Sequence, residues 1–206
     1  MKTVLDPTNR SALKFNYAAE ERMAKLCAPL QPLNICFTYC RLFKDGKRLY
    51  LCSTPQWVEN YLNHGFQNDL DHLEYYSPQP SLNYALWSGF KKDSVFDAIY
   101  NFGYWHGFAL YERAQNYIDT FDFSPPRNNH KIKEYFLHNV TFFQNFIKEF
   151  KEEAKDLIDP IDQRKLIVPK NLPTVDLLER PASVGEKEIK NFMKQIRYKF
   201  LLPLRP

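Results

Sequence analysis

The sequence predicts an α/β (α+β) domain in which helices lie on both faces of one antiparallel sheet, an α-β-α sandwich. Three observations carry that expectation. Two pairs of β-rich runs, residues 35–43 with 47–53 and residues 107–112 with 116–124, each fold back on a short polar turn. Segments with helical apolar spacing precede, separate and follow these pairs. The chain has 206 residues, 44% of them apolar, which is enough for one domain with its own core.

The first helix is expected over residues 11–26, where Leu13, Ala18, Met23 and Leu26 fall roughly on one face and Pro29 and Pro32 end the run. In the first hairpin, Lys44-Asp45-Gly46-Lys47 joins the strands. Asp-Gly supplies the two positive-φ positions of a type I′ turn, so a two-residue loop is expected. That register sets Cys40 against Leu51 and Tyr39 against Cys52. One face then carries Cys36, Thr38, Cys40, Leu42, Leu49 and Leu51. The other carries Phe37, Tyr39, Arg41, Phe43, Arg48 and Tyr50. Both faces are apolar enough to be covered, one by helices and one by a pocket or second layer. Tyr39 and Tyr50, brought together on the second of these faces, join the candidate ligand-binding residues.

A helix follows at once, with Thr54 as its cap and Pro55 at the first position, where a missing N–H costs nothing. Trp57 and Tyr61 lie four apart on its face. Residues 68–89 are polar, aromatic and interrupted by proline, without a sustained period. Connections of that length are commonly walls or lids of a site. Residues 94–102 read as a capped helix that buries Val95, Phe96, Ile99 and Phe102. The second hairpin turns at Arg113-Ala114-Gln115, and Pro125-Pro126 ends it. From 129 to 158 one long amphipathic helix is expected, with Ile132, Phe136, Val140, Phe143, Ile147, Phe150 and Ala154 at spacings of three and four. Its aromatic stripe is the expected dimer surface. The order of elements is that of a sandwich of the PAS/GAF type, whose sheet often encloses a ligand.

Composition narrows the function. Aromatics reach 16%, with 17 Phe and 13 Tyr, which suits either a ring-lined cavity or an aromatic core. The net charge of +4 is spread along the chain rather than gathered in a stripe, so nucleic-acid binding is not expected of this chain alone. Residues 1–7 lack the apolar run of a secretion signal, and no run approaches the ~20 apolar residues of a spanning helix. A cytoplasmic protein without membrane contact is expected. Cys27, Cys36, Cys40 and Cys52 have no CxxC spacing and read as free buried thiols. No GxSxG, HExxH or glycine-rich phosphate loop occurs, and the five histidines are scattered. No enzyme, metal or cofactor is therefore expected.

One segment stands above this background: Trp57-Val58-Glu59-Asn60-Tyr61, then Gly65-Phe66, Asp69, Asp71 and Trp87. Indole N–H and phenol O–H groups can donate to a ligand carbonyl, and a carboxylate can accept from an amide. The same rings can equally be ordinary core with their polar tips satisfied.

The ordered set Trp-x-x-x-Tyr, Gly-aromatic, Asp, Trp resembles the autoinducer-binding domain of LuxR-type transcriptional regulators. Phe102-Gly103-Tyr104-Trp105-His106-Gly107-Phe108 is similar to that family's approach to the third strand, with Gly107 as its glycine. The likeness runs over residues 12–158. Its flavour is that of orphan gammaproteobacterial regulators, whose signals need not be acyl-homoserine lactones. The resemblance implies that Trp57 donates its indole N–H to a ligand head-group carbonyl. It implies that Asp69 or Asp71 accepts the ligand amide, that Tyr61 and Trp87 wall the pocket, and that Gly107 allows close approach. Two positions depart from the pattern. Leu70 and His72 follow the two aspartates where the family has proline, and Ser53 stands where it has a tyrosine.

The expected organisation is a ligand-sensor domain over 1–160, a linker over 161–182 and a short C-terminal helix over 183–206. That helix opens on the capping box Ser183-Val184-Gly185-Glu186, as a remnant of a helix-turn-helix domain. One helix cannot support a recognition helix in the major groove. The reading is thus a sensor of a small amphipathic ligand, acting as a homodimer or through a protein partner. The alternative is a degenerate sensor fold kept as a protein–protein interaction module.

Overall fold

The computed structural model describes residues 5–68, 83–87 and 94–170. Within them the helices are α1 (Pro7–Ala18), α2 (Glu20–Leu26), α3 (Pro55–Asn63), α4 (Ser94–Phe102), α5 (Ile132–His138) and α6 (Val140–Glu153). The strands are β1 (Cys36–Phe43), β2 (Arg48–Cys52), β3 (Asn83–Leu86), β4 (Phe108–Arg113), β5 (Tyr117–Ser124) and β6 (Leu166–Ile167). They form one antiparallel sheet in the order β3-β4-β5-β1-β2-β6.

The first hairpin departs from the expected register, and the departure matters for the site. Its loop has three residues, not two. Gly46, at φ 81°, forms a bulge after a turn in which its N–H donates to the Phe43 carbonyl (2.9 Å), while the Phe43 N–H donates to the Lys47 carbonyl (3.0 Å). Tyr39 therefore pairs with Leu51 and Cys40 with Tyr50. A one-residue slip moves every β2 side chain to the other face of the sheet. Leu49 and Leu51 join Phe37 and Tyr39, whereas Arg48 and Tyr50 join Cys36, Thr38, Cys40 and Leu42.

The first face is an aromatic core. Phe37, Phe108, Phe121 and Phe123 are fully buried against Phe136, Phe143, Phe146 and Phe150 of α5 and α6. Their rings meet edge-on, as in Phe123–Phe143 (4.7 Å) and Phe37–Phe150 (4.9 Å), or stacked, as in Phe108–Phe136 (5.1 Å). Such pairs contribute about 0.5–1.5 kcal/mol each beyond area burial. The stripe expected as a dimer surface is thus spent on the protein's own sheet. The expected single helix is two, broken at Asn139, whose φ of −122° is not helical. Its amide donates to the Tyr135 carbonyl at 2.8 Å, a local bond that competes with helix continuation.

The second face carries α1, α3 and α4. Ala12, Trp57, Val58, Tyr61, Leu62 and Val95 pack there with Cys36, Cys52 and Ile167. The first expected helix is also two, α1 and α2, and it starts earlier than expected. Asp6 caps it, accepting from the Thr8 and Asn9 N–H groups at 3.0 Å, with Pro7 at the first position. Thr54 precedes α3 without a side-chain capping bond.

Two short strands were not foreseen. β3 lies in the segment expected to be irregular, and β6 in the segment expected to be a linker. β6 pairs Ile167 with Arg48 and Leu166 with Leu49. The buried Asn9 of α1 then clamps Val168, donating to its carbonyl (3.0 Å) and accepting from its N–H (2.8 Å). Asn16, about two turns further along the same face of α1, donates to the Tyr50 carbonyl (2.8 Å) and accepts from the Cys52 N–H (3.2 Å). The expected C-terminal helix over 183–206 lies outside the described residues, as do Asp69 and Asp71.

Candidate functional site

The second face differs from the first in chemistry. Along the central strands it presents Thr38, Cys40, Arg48, Tyr50, Thr120 and Asp122, where the first face presents mainly phenylalanine and leucine. In register, Thr38, Asp122 and Ala109 form one row across β1, β5 and β4, and Cys40, Thr120 and Tyr111 form the next. Tyr50 and Asp122 keep accessible surface although they stand on interior strands beneath the helical layer.

Trp57 and Tyr61 project from α3 onto this face and are buried, 5% and 3% exposed. The Trp57 indole N–H donates to the Tyr50 hydroxyl at 2.9 Å, and the Tyr50 and Tyr61 rings stack at 5.2 Å. The Tyr61 hydroxyl accepts from a guanidinium nitrogen of Arg48, another of whose nitrogens donates to the Gln67 carbonyl at 3.3 Å. Arg48 itself is 1% exposed. Burial raises the Tyr50 hydroxyl well above its ordinary range, so it stays a neutral donor and acceptor.

Trp87 forms a second ring cluster with Phe96 (5.6 Å) and Trp105 (6.5 Å). Its ring lies directly on Gly107, whose carbonyl accepts from the Trp87 N–H at 2.9 Å. The Trp87 side chain also hydrogen-bonds the Asp122 carboxylate. Burial pushes that carboxyl up to about 7, and the indole offsets part of the rise. The sequence reading passed over Asp122 and Thr120. The signal was present as alternation over residues 120–124 of β5, where Phe121 and Phe123 take one face and Thr120, Asp122 and Ser124 the other.

Tyr39 belongs elsewhere. It lies on the first face, where its hydroxyl donates to Asp119 at 2.8 Å, and Asp119 also takes a bidentate bond from Arg41 (2.7 and 2.8 Å). Its expected place beside Tyr50 is corrected by the hairpin register. The four cysteines are free and buried. The Cys36 and Cys52 sulfurs are 3.5 Å apart, and Thr38 and Ser53 hydroxyls reach them at 3.4 and 3.7 Å. The Cys52 contact, with help from Ser53, Thr54 and Tyr104, lowers the Cys36 thiol to about 7 against the opposing effect of burial.

Elsewhere, a surface hollow of about 430 Å³ lies between α2 and α6, lined by Arg22, Phe146 and Glu153 among others, away from these rings. Among the described residues no group of three His, Cys, Asp or Glu side chains is placed to hold a metal. No helix among them is long and apolar enough to cross a membrane. The groups on the second face are indole, phenol, guanidinium, hydroxyl and carboxyl. Together they can hold and orient a molecule that is polar at one end and apolar at the other.

The fold and this face define an α-β-α sandwich with a ring-lined, polar sheet surface. No family model matches the chain, and no curated protein matches it. Among solved structures it is similar to CepR2 of Burkholderia cenocepacia, an N-acylhomoserine-lactone-dependent LuxR-family transcription factor. The identity there is 12% and the TM-score 0.47, over 74% of this chain and 96% of that one. It is also similar to SdiA in complex with octanoyl-rac-glycerol, at 16% identity and TM-score 0.45, over 97% and 92% of the two chains. Escherichia coli SdiA in a further crystal form gives 16% and 0.44, over 90% and 85%.

Proposed function

We propose that this chain is a small-molecule sensor of the LuxR type rather than an enzyme. In this reading an amphipathic ligand lies between the second face of the sheet and α3, with its polar end toward Tyr50 and Asp122. The observation that carries the reading is the polar, partly accessible centre of that face, set against the close-packed aromatic face behind it. Trp57, Tyr61, Tyr50 and Trp87 wall the site, and Asp69 or Asp71 contributes a further acceptor. Output passes through a second copy or another protein. The test is titration with N-octanoyl-homoserine lactone and octanoyl-glycerol, followed by tryptophan fluorescence and thermal unfolding. Native mass spectrometry of protein purified from its host accompanies it. Saturable quenching with a rise in melting temperature is expected. An unchanged signal with every probe and no co-purified mass would overturn the reading.

A second reading has its own support. The Trp57 N–H is already satisfied by Tyr50, and Tyr50 stacks on Tyr61, so the protein's own rings fill part of the site. A sensor fold used as a protein–protein interaction module fits that packing. Co-purification of a stoichiometric protein partner without any small molecule would favour it.

A further inference from the structure

Two cysteine sulfurs on the second face lie in contact. Thr38 stands opposite Cys52 in the β1–β2 register, and Cys36 is two residues along β1 from Thr38, hence on the same face. The strands are tied beside them. The Ser53 N–H donates to the Phe37 carbonyl, and the Phe37 N–H donates to the Ser53 hydroxyl, both at 2.9 Å. This framework holds the Cys36 and Cys52 sulfurs 3.5 Å apart. A disulfide needs about 2.05 Å, so closure asks for a relative shift of about 1.5 Å. The two thiols are not equivalent. Cys52 is fully buried and takes contacts from the Thr38 hydroxyl and the Thr54 N–H, each at 3.4 Å. Cys36 begins β1 and lies among the half-buried Ser53, Thr54 and Tyr104. Hydrogen bonds from Cys52 and from those three residues converge on its sulfur and lower its thiol to about 7 against the effect of burial. Burial raises Cys52 well above its ordinary range. An attacking thiolate and a resolving thiol thus stand side by side.

We propose that Cys36 and Cys52 form a site of reversible oxidation, whose co-substrate is hydrogen peroxide and whose product is an intramolecular disulfide. The Cys36 thiolate attacks one peroxide oxygen and the O–O bond breaks. The sulfur becomes a sulfenic acid, and the released hydroxide takes a proton and leaves as water. The Cys52 sulfur then attacks the Cys36 sulfur and the S–O bond breaks. The departing hydroxide takes the Cys52 proton and leaves as a second water. Two thiols have given up two electrons, and one peroxide has been reduced to two waters. A thiol reductant reverses the link by exchange through a mixed disulfide. The link joins the start of β1 to the end of β2, just before Pro55 opens α3. It forms whether or not this face holds a ligand, so the inference does not rest on the sensor reading.

The test exposes the reduced, folded protein to a small molar excess of hydrogen peroxide and follows thiol titration, intact mass and fragmentation mass spectrometry. Two of the four thiols should be lost, with a mass lower by two hydrogens. Fragment ions should join Cys36 to Cys52, and dithiothreitol should restore all four thiols. Cys52→Ser should stop at the Cys36 sulfenic acid, captured by dimedone. Cys36→Ser should form no link and capture no dimedone at Cys52. The wild-type mass and fragment ions decide the matter alone if either variant does not fold. Survival of all four thiols in the folded protein, under peroxide that oxidises the urea-unfolded chain, would overturn the proposal. So would a link through Cys27, Cys40 or a second copy, or a Cys36 that runs on to sulfinic acid while Cys52 stays reduced.

Discussion

Trp87 and Gly107 occupy one another's space: a Cβ built on Gly107 would sit 2.3 Å from Cδ2 of the Trp87 indole. Gly107 is thus fixed by the ring above it rather than by backbone conformation. Gly107→Ala should displace the indole from Asp122 and cost about 1–3 kcal/mol, the range for overpacking. Urea unfolding and the near-UV dichroism of the tryptophans check this together. An alanine variant with wild-type stability and spectrum would show that the ring moves freely.

Asp122 sets a pH dependence. Its carboxyl is raised to about 7 in the folded chain, against about 3.9 when unfolded. The native state therefore binds the extra proton between those values, and stability is full below about 4 and falls as pH rises to about 7. Asp122→Asn imitates the protonated form, so it should flatten that slope and gain about 1–3 kcal/mol at pH 8, less than full linkage because the side chain is partly exposed. Unfolding free energies from pH 4 to 8 measure both. A stabilised variant that loses probe binding is the signature of a binding group kept at a cost to the fold.

Tyr39 and Tyr50 should separate cleanly. Tyr39→Phe removes the bond to Asp119 and should cost about 1–2 kcal/mol, leaving the binding of octanoyl probes unchanged. Tyr50→Phe removes the acceptor of the Trp57 N–H and should change probe affinity and Trp57 fluorescence. If Tyr39→Phe alters probe binding as strongly as Tyr50→Phe, the two faces are not independent.

The thiols should differ in reactivity. Burial raises Cys27 and Cys40 to about 12 and Cys52 well above its ordinary range, while Cys36 is lowered to about 7. At pH 8 the thiolate fraction of Cys36 therefore exceeds those of Cys27 and Cys40. Iodoacetamide footprinting read by mass spectrometry should label Cys36 first. Labelling of Cys27 or Cys40 ahead of it would contradict these environments.

Much of this was legible because it is local. Pro55 opening α3, the 94–102 helix and the turn between β4 and β5 follow from residue type and period. The hairpin register was not, because Asp45-Gly46 suits both a two-residue loop and a three-residue loop with a glycine bulge. Only tertiary packing chooses between them, and that choice moved Tyr50 beside Trp57 and Tyr39 away from it. Asn139 inside an unbroken apolar stripe hid the break between α5 and α6, since the stripe continues in phase across it. β6 has two residues, too few for any period, and it is held by Asn9 from the far end of the sequence. The pairing of Asp122 with Trp87 joins residues 35 apart and has no local signature.

The two asparagines of α1 have a bearing on assembly. β6 pairs with β2 at Arg48 and Leu49, and where it stops, Asn16 takes up the Tyr50 carbonyl and the Cys52 N–H. A helix side chain thus completes the work of a missing neighbour, and this margin of the sheet offers no run of vacant backbone groups to an incoming strand. Sheet-to-sheet growth from this side is closed, which protects the chain from edge-on aggregation.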